Sequence, residues 1–204
     1  MASEPPRWLI LCRAVARKAA AQIVKCRIRV EAAVFGAEQI VTSFQRYARW
    51  TGAVWLLRFL GASVGERCNI DPRLYIQNAL HGKCANLTIG QHVYIGPNCL
   101  FELADKIIIE DEVTIAAGVS ITTHLDCGDR PQKVRLARRQ GPVRLARGSW
   151  VSLNATVLHG VTVGEYALVA ACALVREDVP ANALVAGVPA QVKRLFQDEL
   201  TARS

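Results

Sequence analysis

Residues 145–175 read LARGSWVSLNATVLHGVTVGEYALVAACALV, and an aliphatic residue stands at every sixth position: Leu145, Val151, Val157, Val163, Val169 and Val175. The same step runs upstream through Val64, Ile70 and Ile76, then Ile89, Ile95 and Phe101, then Ile109, Ile115 and Ile121. These fifteen hexads fall into groups of three or six, separated by interruptions. The residue after the aliphatic is often small, as at Gly65, Gly90, Gly96, Ser152 and Gly164. The fifth position is small or aliphatic, as at Cys68, Val93, Cys99, Val113, Ala155 and Ala167. A half-buried sheet repeats every two residues and a helix every 3.6, so neither produces a period of six. A six-residue unit with one deeply inward residue suits a short strand followed by a tight corner. Three such units close a triangular coil. Small residues are then needed where the backbones of stacked corners approach one another.

Composition agrees with a narrow prism. Of 204 residues, 51% are hydrophobic but only 6% aromatic, so the core is built from small aliphatics. This much apolar surface offsets ordering entropy and excludes a disordered chain. No uncharged apolar run reaches the roughly 18 residues of a membrane span, which excludes a polytopic membrane protein. The seven cysteines are odd in number and contain no CxxC pair. That argues against a disulfide framework or zinc knuckle and for a reducing compartment. The opening MASEPPRW has Glu4 ahead of any apolar run, unlike a secretory signal. The chain is therefore read as cytoplasmic.

Two regions are expected: a basic helical appendage over residues 1–62 and a repeat domain over residues 63–204. The formal net charge is +8, and residues 1–62 hold ten Lys/Arg against three Asp/Glu. One helix is expected from Arg7 to about Val34, and a second from about Glu38 to Leu60, weakened at Gly52. Residues 38–62 are expected to cap the open end of the coil. The basic, apolar-interleaved stretch 7–30 suits either a neighbouring subunit or the anionic inner face of a membrane. Nucleic acid is disfavoured, because no recognised module accompanies the charge. Residues 126–144 form a long basic loop extruded from the coil. The terminal PANALVAGVPAQVKRLFQDEL reads as a closing strand, a Pro-containing turn and a short C-terminal helix.

Residues that break the pattern are the candidates for chemistry. His124, in ITTHLD, sits on the last coil before the extruded loop. A polar side chain there sits on a rigid coil, at the mouth of a loop able to close over a ligand, and an imidazole titrates near neutrality. Asp126 and Asp129 follow it closely, either to orient the imidazole or to open the loop as turn formers. His81 lies in an insertion, residues 77–88, from which it can approach an acceptor. A resemblance to the γ-class carbonic anhydrases, which bind zinc through three histidines, calls for two of them five residues apart; the successive separations here are 11, 32 and 35, so a zinc reading is weak.

The segments IGQHVYIGPNCL, IEDEVTIAAGVSITTH and VTVGEYALVAACALVREDVPANALVAGVPAQVKR resemble the hexapeptide-repeat acyltransferases. The similarity is greatest to the maltose and galactoside O-acetyltransferases and related exopolysaccharide enzymes, over roughly residues 52–196. This resemblance implies an all-β fold, a left-handed parallel β-helix with helical additions. It implies a homotrimer that moves an acetyl group from acetyl-coenzyme A to a sugar or polysaccharide hydroxyl, without a metal. His124 then takes the place of the general base. Glu102 falls near the position where the family's asparagine contacts the acceptor. Trp150 matches a tryptophan beside the pantetheine arm, and Ala170 and Ala171 match small residues against which that arm lies. Arg176 stands where the family often has Thr. Pro189, Lys193 and Arg194 match the segment that meets the adenine and phosphates, whereas Gln191 replaces a frequent basic residue. Two alternatives stay open: N-acyl transfer to an amino sugar or antibiotic, and a non-catalytic β-helix scaffold.

Overall fold

The computed structural model describes residues 7–79, 81 and 83–196. All fifteen repeat residues, fourteen aliphatics and Phe101, lie in short strands and are buried. The strands stack into three parallel sheets that form the faces of a triangular prism. The first face runs from Ser63–Val64 to Thr162–Val163, and the third from Tyr75–Gln77 to Leu174–Val175, five strands each. The second face runs from Asn69–Ile70 through Trp150–Val151 and Leu168–Val169 to Ala183–Ala186. Three hexads make one turn, so fifteen make five coils of the expected left-handed β-helix.

Two features of the hexad have local causes. The third residue after the aliphatic often turns the corner with a left-handed backbone, as at Arg67, His92, Asn98, Asn154 and Tyr166. The small residue immediately after the aliphatic faces the next coil. A Cβ on Gly164 would lie 2.5 Å from the backbone nitrogen of Ala181, closer than non-bonded atoms pack.

The N-terminal region is helical: α1 (Arg7–Phe35), α2 (Glu38–Thr42), α3 (Phe44–Thr51) and α4 (Ala53–Phe59). The single helix expected over 38–60 is thus broken twice, at Ser43 and at Gly52, where φ is +84°. The breaks let three short helices fold over the first coil. Leu56, Leu57 and Leu60 are buried in the same core as the prism. The Arg58 guanidinium donates to the carbonyls of Val64 and Gly65. The open end of the coil is therefore covered as expected.

The far end differs from expectation. Gln191–Leu195 is not the start of a helix; it is a strand running antiparallel to Ala183–Ala186. The last parallel strand leaves a row of unpaired backbone groups, and satisfying that edge outweighs local helix preference. The rest of the expected helix, residues 197–204, lies outside the described residues.

Candidate active site

His124 lies where the third face turns toward the first, just before the chain leaves the prism. His124–Leu125 pairs antiparallel with Arg139–Gln140, so the extruded loop is a two-stranded arm whose base is His124. The arm is anchored there: Gly141 N–H donates to the Thr123 carbonyl at 3.0 Å. The Gln140 amide lies 3.3 Å from the Ala104 carbonyl.

Beneath the imidazole sits Glu102, on the preceding coil and only 4% exposed. Its Oε2 lies 2.8 Å from His124 Nδ1. The approach is bent away from the line of an Nδ1–H bond, which leaves Nδ1 without a well-directed acceptor, so the two groups meet mainly as a close electrostatic pair. Oε2 also accepts from the backbone and hydroxyl of Thr123, and Oε1 from Asn78 Nδ2 and the Ala104 N–H. Burial alone would raise the Glu102 carboxyl. The imidazole of His124 close by, together with the bonds from Asn78, Thr123 and Ala104, outweighs it and lowers the group to about 2. An ionised carboxylate thus stands against Nδ1.

This arrangement corrects two expectations. Glu102 does not present itself to an acceptor, since both its oxygens are occupied by the protein. It is also Glu102, not Asp126, that faces the imidazole. Asp126 accepts from the Gly128 N–H at 2.8 Å and lies 3.9 Å from Arg138, so it shapes the turn that opens the arm. Asp129 is exposed and paired with Lys133. His81 is exposed and makes no hydrogen bond or ion pair with another described residue. Asn78 and Thr123 had no signal of their own in the sequence. Their only trace is that the hexad is interrupted after Ile76 and after Ile121. Among the described residues no group of three His, Cys, Asp or Glu side chains is placed to hold a metal ion.

The remaining candidates gather elsewhere. Trp150 is 49% exposed on the second face. The ladder there runs Trp150 to Leu168, Leu168 to Leu184, and Leu184 to Arg194. Trp150 and Arg194 therefore share one line, three strand spacings or roughly 14 Å apart. Ala170 and Ala171 turn the corner at the edge of this face, with Ala171 exposed. Lys193 and Arg194 are exposed and form no ion pair with another described residue; Arg194 lies over the Phe196 ring. Pro189 is in the turn before them. Arg176, paired with Glu177, stands apart at the end of the third face. The second face thus offers an aromatic wall, a small-residue edge and exposed cations in sequence.

Comparison with known proteins follows the same lines. A family model described as "Hexapeptide repeat of succinyl-transferase" matches residues 86–123. The chain is 29% identical over 150 residues to galactoside O-acetyltransferase of Escherichia coli, covering 70% of this chain and 68% of that protein. It is 35% identical over 137 residues to nodulation protein L of Rhizobium meliloti, covering 66% and 73%. A crystal structure of a hexapeptide-repeat acetyltransferase from Vibrio cholerae, complexed with acetyl-coenzyme A, has a TM-score of 0.64. It is 23% identical and covers 90% of this chain and 88% of that one. The scaffold alternative gives way to an enzyme, for the coils, the interrupting arm and the relatives agree: this chain belongs to the hexapeptide-repeat acetyltransferase family.

Proposed function

We propose that this enzyme transfers the acetyl group of acetyl-coenzyme A to a hydroxyl of a sugar or polysaccharide precursor, with His124 as general base. The single observation that carries this reading is the buried Glu102 carboxylate, 2.8 Å from His124 Nδ1 at the base of the arm. The acetyl-coenzyme A complex of the Vibrio relative and the galactoside acceptor named for the Escherichia relative support the substrates.

His124 Nε2 takes the proton of the acceptor hydroxyl as its oxygen attacks the thioester carbonyl. The new C–O bond forms, the C–S bond breaks, and the imidazolium returns its proton to the departing thiolate. No covalent enzyme intermediate is needed. Glu102 holds the ring in one orientation and supplies the counter-charge to the imidazolium. Positioning of the two reactants can contribute about 7–11 kcal/mol of the barrier.

The prism geometry favours a site shared between subunits. In a triangular prism each corner lies opposite one face. His124 stands at the corner between the third and first faces, so the second face is the one turned away from it. An acyl donor lying along Trp150, Ala171, Lys193 and Arg194 of one chain is met by the His124 of a neighbour. A homotrimer supplies that arrangement three times.

His124→Ala should lower kcat roughly 10²–10⁴-fold while coenzyme A binding by calorimetry stays within about threefold of the parent. Near-parental turnover in that variant would remove His124 from the chemistry.

A further inference from the structure

Helix α1 is apolar on two opposed sides. One side packs: Ile28 is fully buried, and Val24 and Ala32 lie against the core. The other consists of Ala16, Ala19, Ile23, Cys26, Val30 and Ala33, at alternating steps of three and four. Those steps keep them in one stripe along the helix. No charged residue interrupts it, yet Ile23 is 70% and Val30 62% exposed. Lys18, Lys25 and Arg29 border one edge of the stripe, and Arg13 and Arg27 the other. Residues 10–19 are exposed, and Ile10, Arg13, Ala14 and Arg17 line a groove with Trp50 of α3 on the side away from the stripe.

We propose that α1 lies in the headgroup region of an anionic lipid bilayer, its bare stripe toward the acyl chains. Charge selects this occupant. The 29 residues of α1 hold seven Lys/Arg and one acid, Glu31, which is already engaged by Arg27 and Tyr47. A second copy laid stripe to stripe would bring two such cationic rows together. Anionic headgroups supply the opposite charge along both edges, and the long basic side chains can reach them while the stripe stays buried. No helix among the described residues is long and apolar enough to cross a membrane, so α1 lies along the surface rather than through it.

The test floats the full-length enzyme with vesicles of phosphatidylcholine, alone or with about a third phosphatidylglycerol. Binding is expected only with the anionic lipid, weakening at least roughly tenfold in about 0.5 M salt. Ile23→Glu combined with Val30→Glu, both at exposed positions, should abolish flotation and leave acetyl transfer to a soluble acceptor unchanged. Cys12 and Cys26 on α1 are exposed, as is Cys172 on the prism. Anionic vesicles should slow maleimide labelling of the first two and not the third. No binding to anionic vesicles, or equal binding by the double variant, overturns the proposal. So does shelter of Cys12 and Cys26 without lipid, accompanied by self-association that the double variant removes; a second copy would then be the occupant. Because acetyl transfer is measured separately, failure here leaves the proposed reaction untouched.

Discussion

At the residue scale, the decisive group is Glu102. A carboxylate this buried persists as an anion only because the protein surrounds it with donors, and those donors come from two coils and from Asn78 in the insertion over residues 77–88. The folded-state carboxyl is lowered to about 2 from an ordinary 4.5. A group lowered on folding contributes stability that is fully present above its unfolded value. That contribution fades as the pH falls from about 4.5 to about 2. Glu102→Gln should therefore flatten the acid side of the thermal-midpoint curve over that window. It should also lower kcat roughly 10–100-fold, with KM for acetyl-coenzyme A nearly constant, because the ring loses its orienting counter-charge. If KM for the donor rose and kcat held, Glu102 would belong to donor binding instead. His124 was legible in the sequence as a polar residue at the mouth of a loop. Its partner's role was not, because residues 102 and 124 meet only once the coils are stacked in register.

At the element scale, the hexad was legible because each side of the triangle contributes one inward residue, and that period survives every interruption. The small residue after the aliphatic was legible as a close approach between coils, and the geometry at Gly164 gives it a cost. Gly164→Val would place a branched side chain against the backbone of residues 179–181. The prism can relieve this only by shifting a whole corner. A loss of about 1–3 kcal/mol is expected, read as a lowered midpoint in thermal melts followed by circular dichroism; an unchanged midpoint would mean that the coils separate easily. Other elements were not legible for a shared reason. The break at Ser43 serves the seating of α3 on the first coil, and the strand Gln191–Leu195 serves the open edge of Ala183–Ala186. Both answer a demand made by a distant part of the fold, which no local pattern carries.

At the scale of the whole molecule, charge and chemistry are distributed unevenly. The prism is nearly neutral and rigid, while the appendage carries most of the net charge. Within the prism, the proposed base and the proposed donor surface stand on opposite sides of a closed triangle, too rigid to bring them together by bending. A complete site then requires a neighbour, and this can be tested by mixing two defective chains. One carries His124→Ala with an intact second face. The other keeps His124 but carries Trp150→Ala with Arg194→Glu. Each alone should be nearly inactive. In trimers formed at random from equal amounts of both, three-quarters contain the two kinds of chain, and each of those has one complete site in three. About a quarter of parental activity should return on co-refolding or co-expression. A site confined to one chain predicts no recovery at any mixing ratio. The yield of recovered activity thus measures whether a single prism, however well formed, is a catalyst at all.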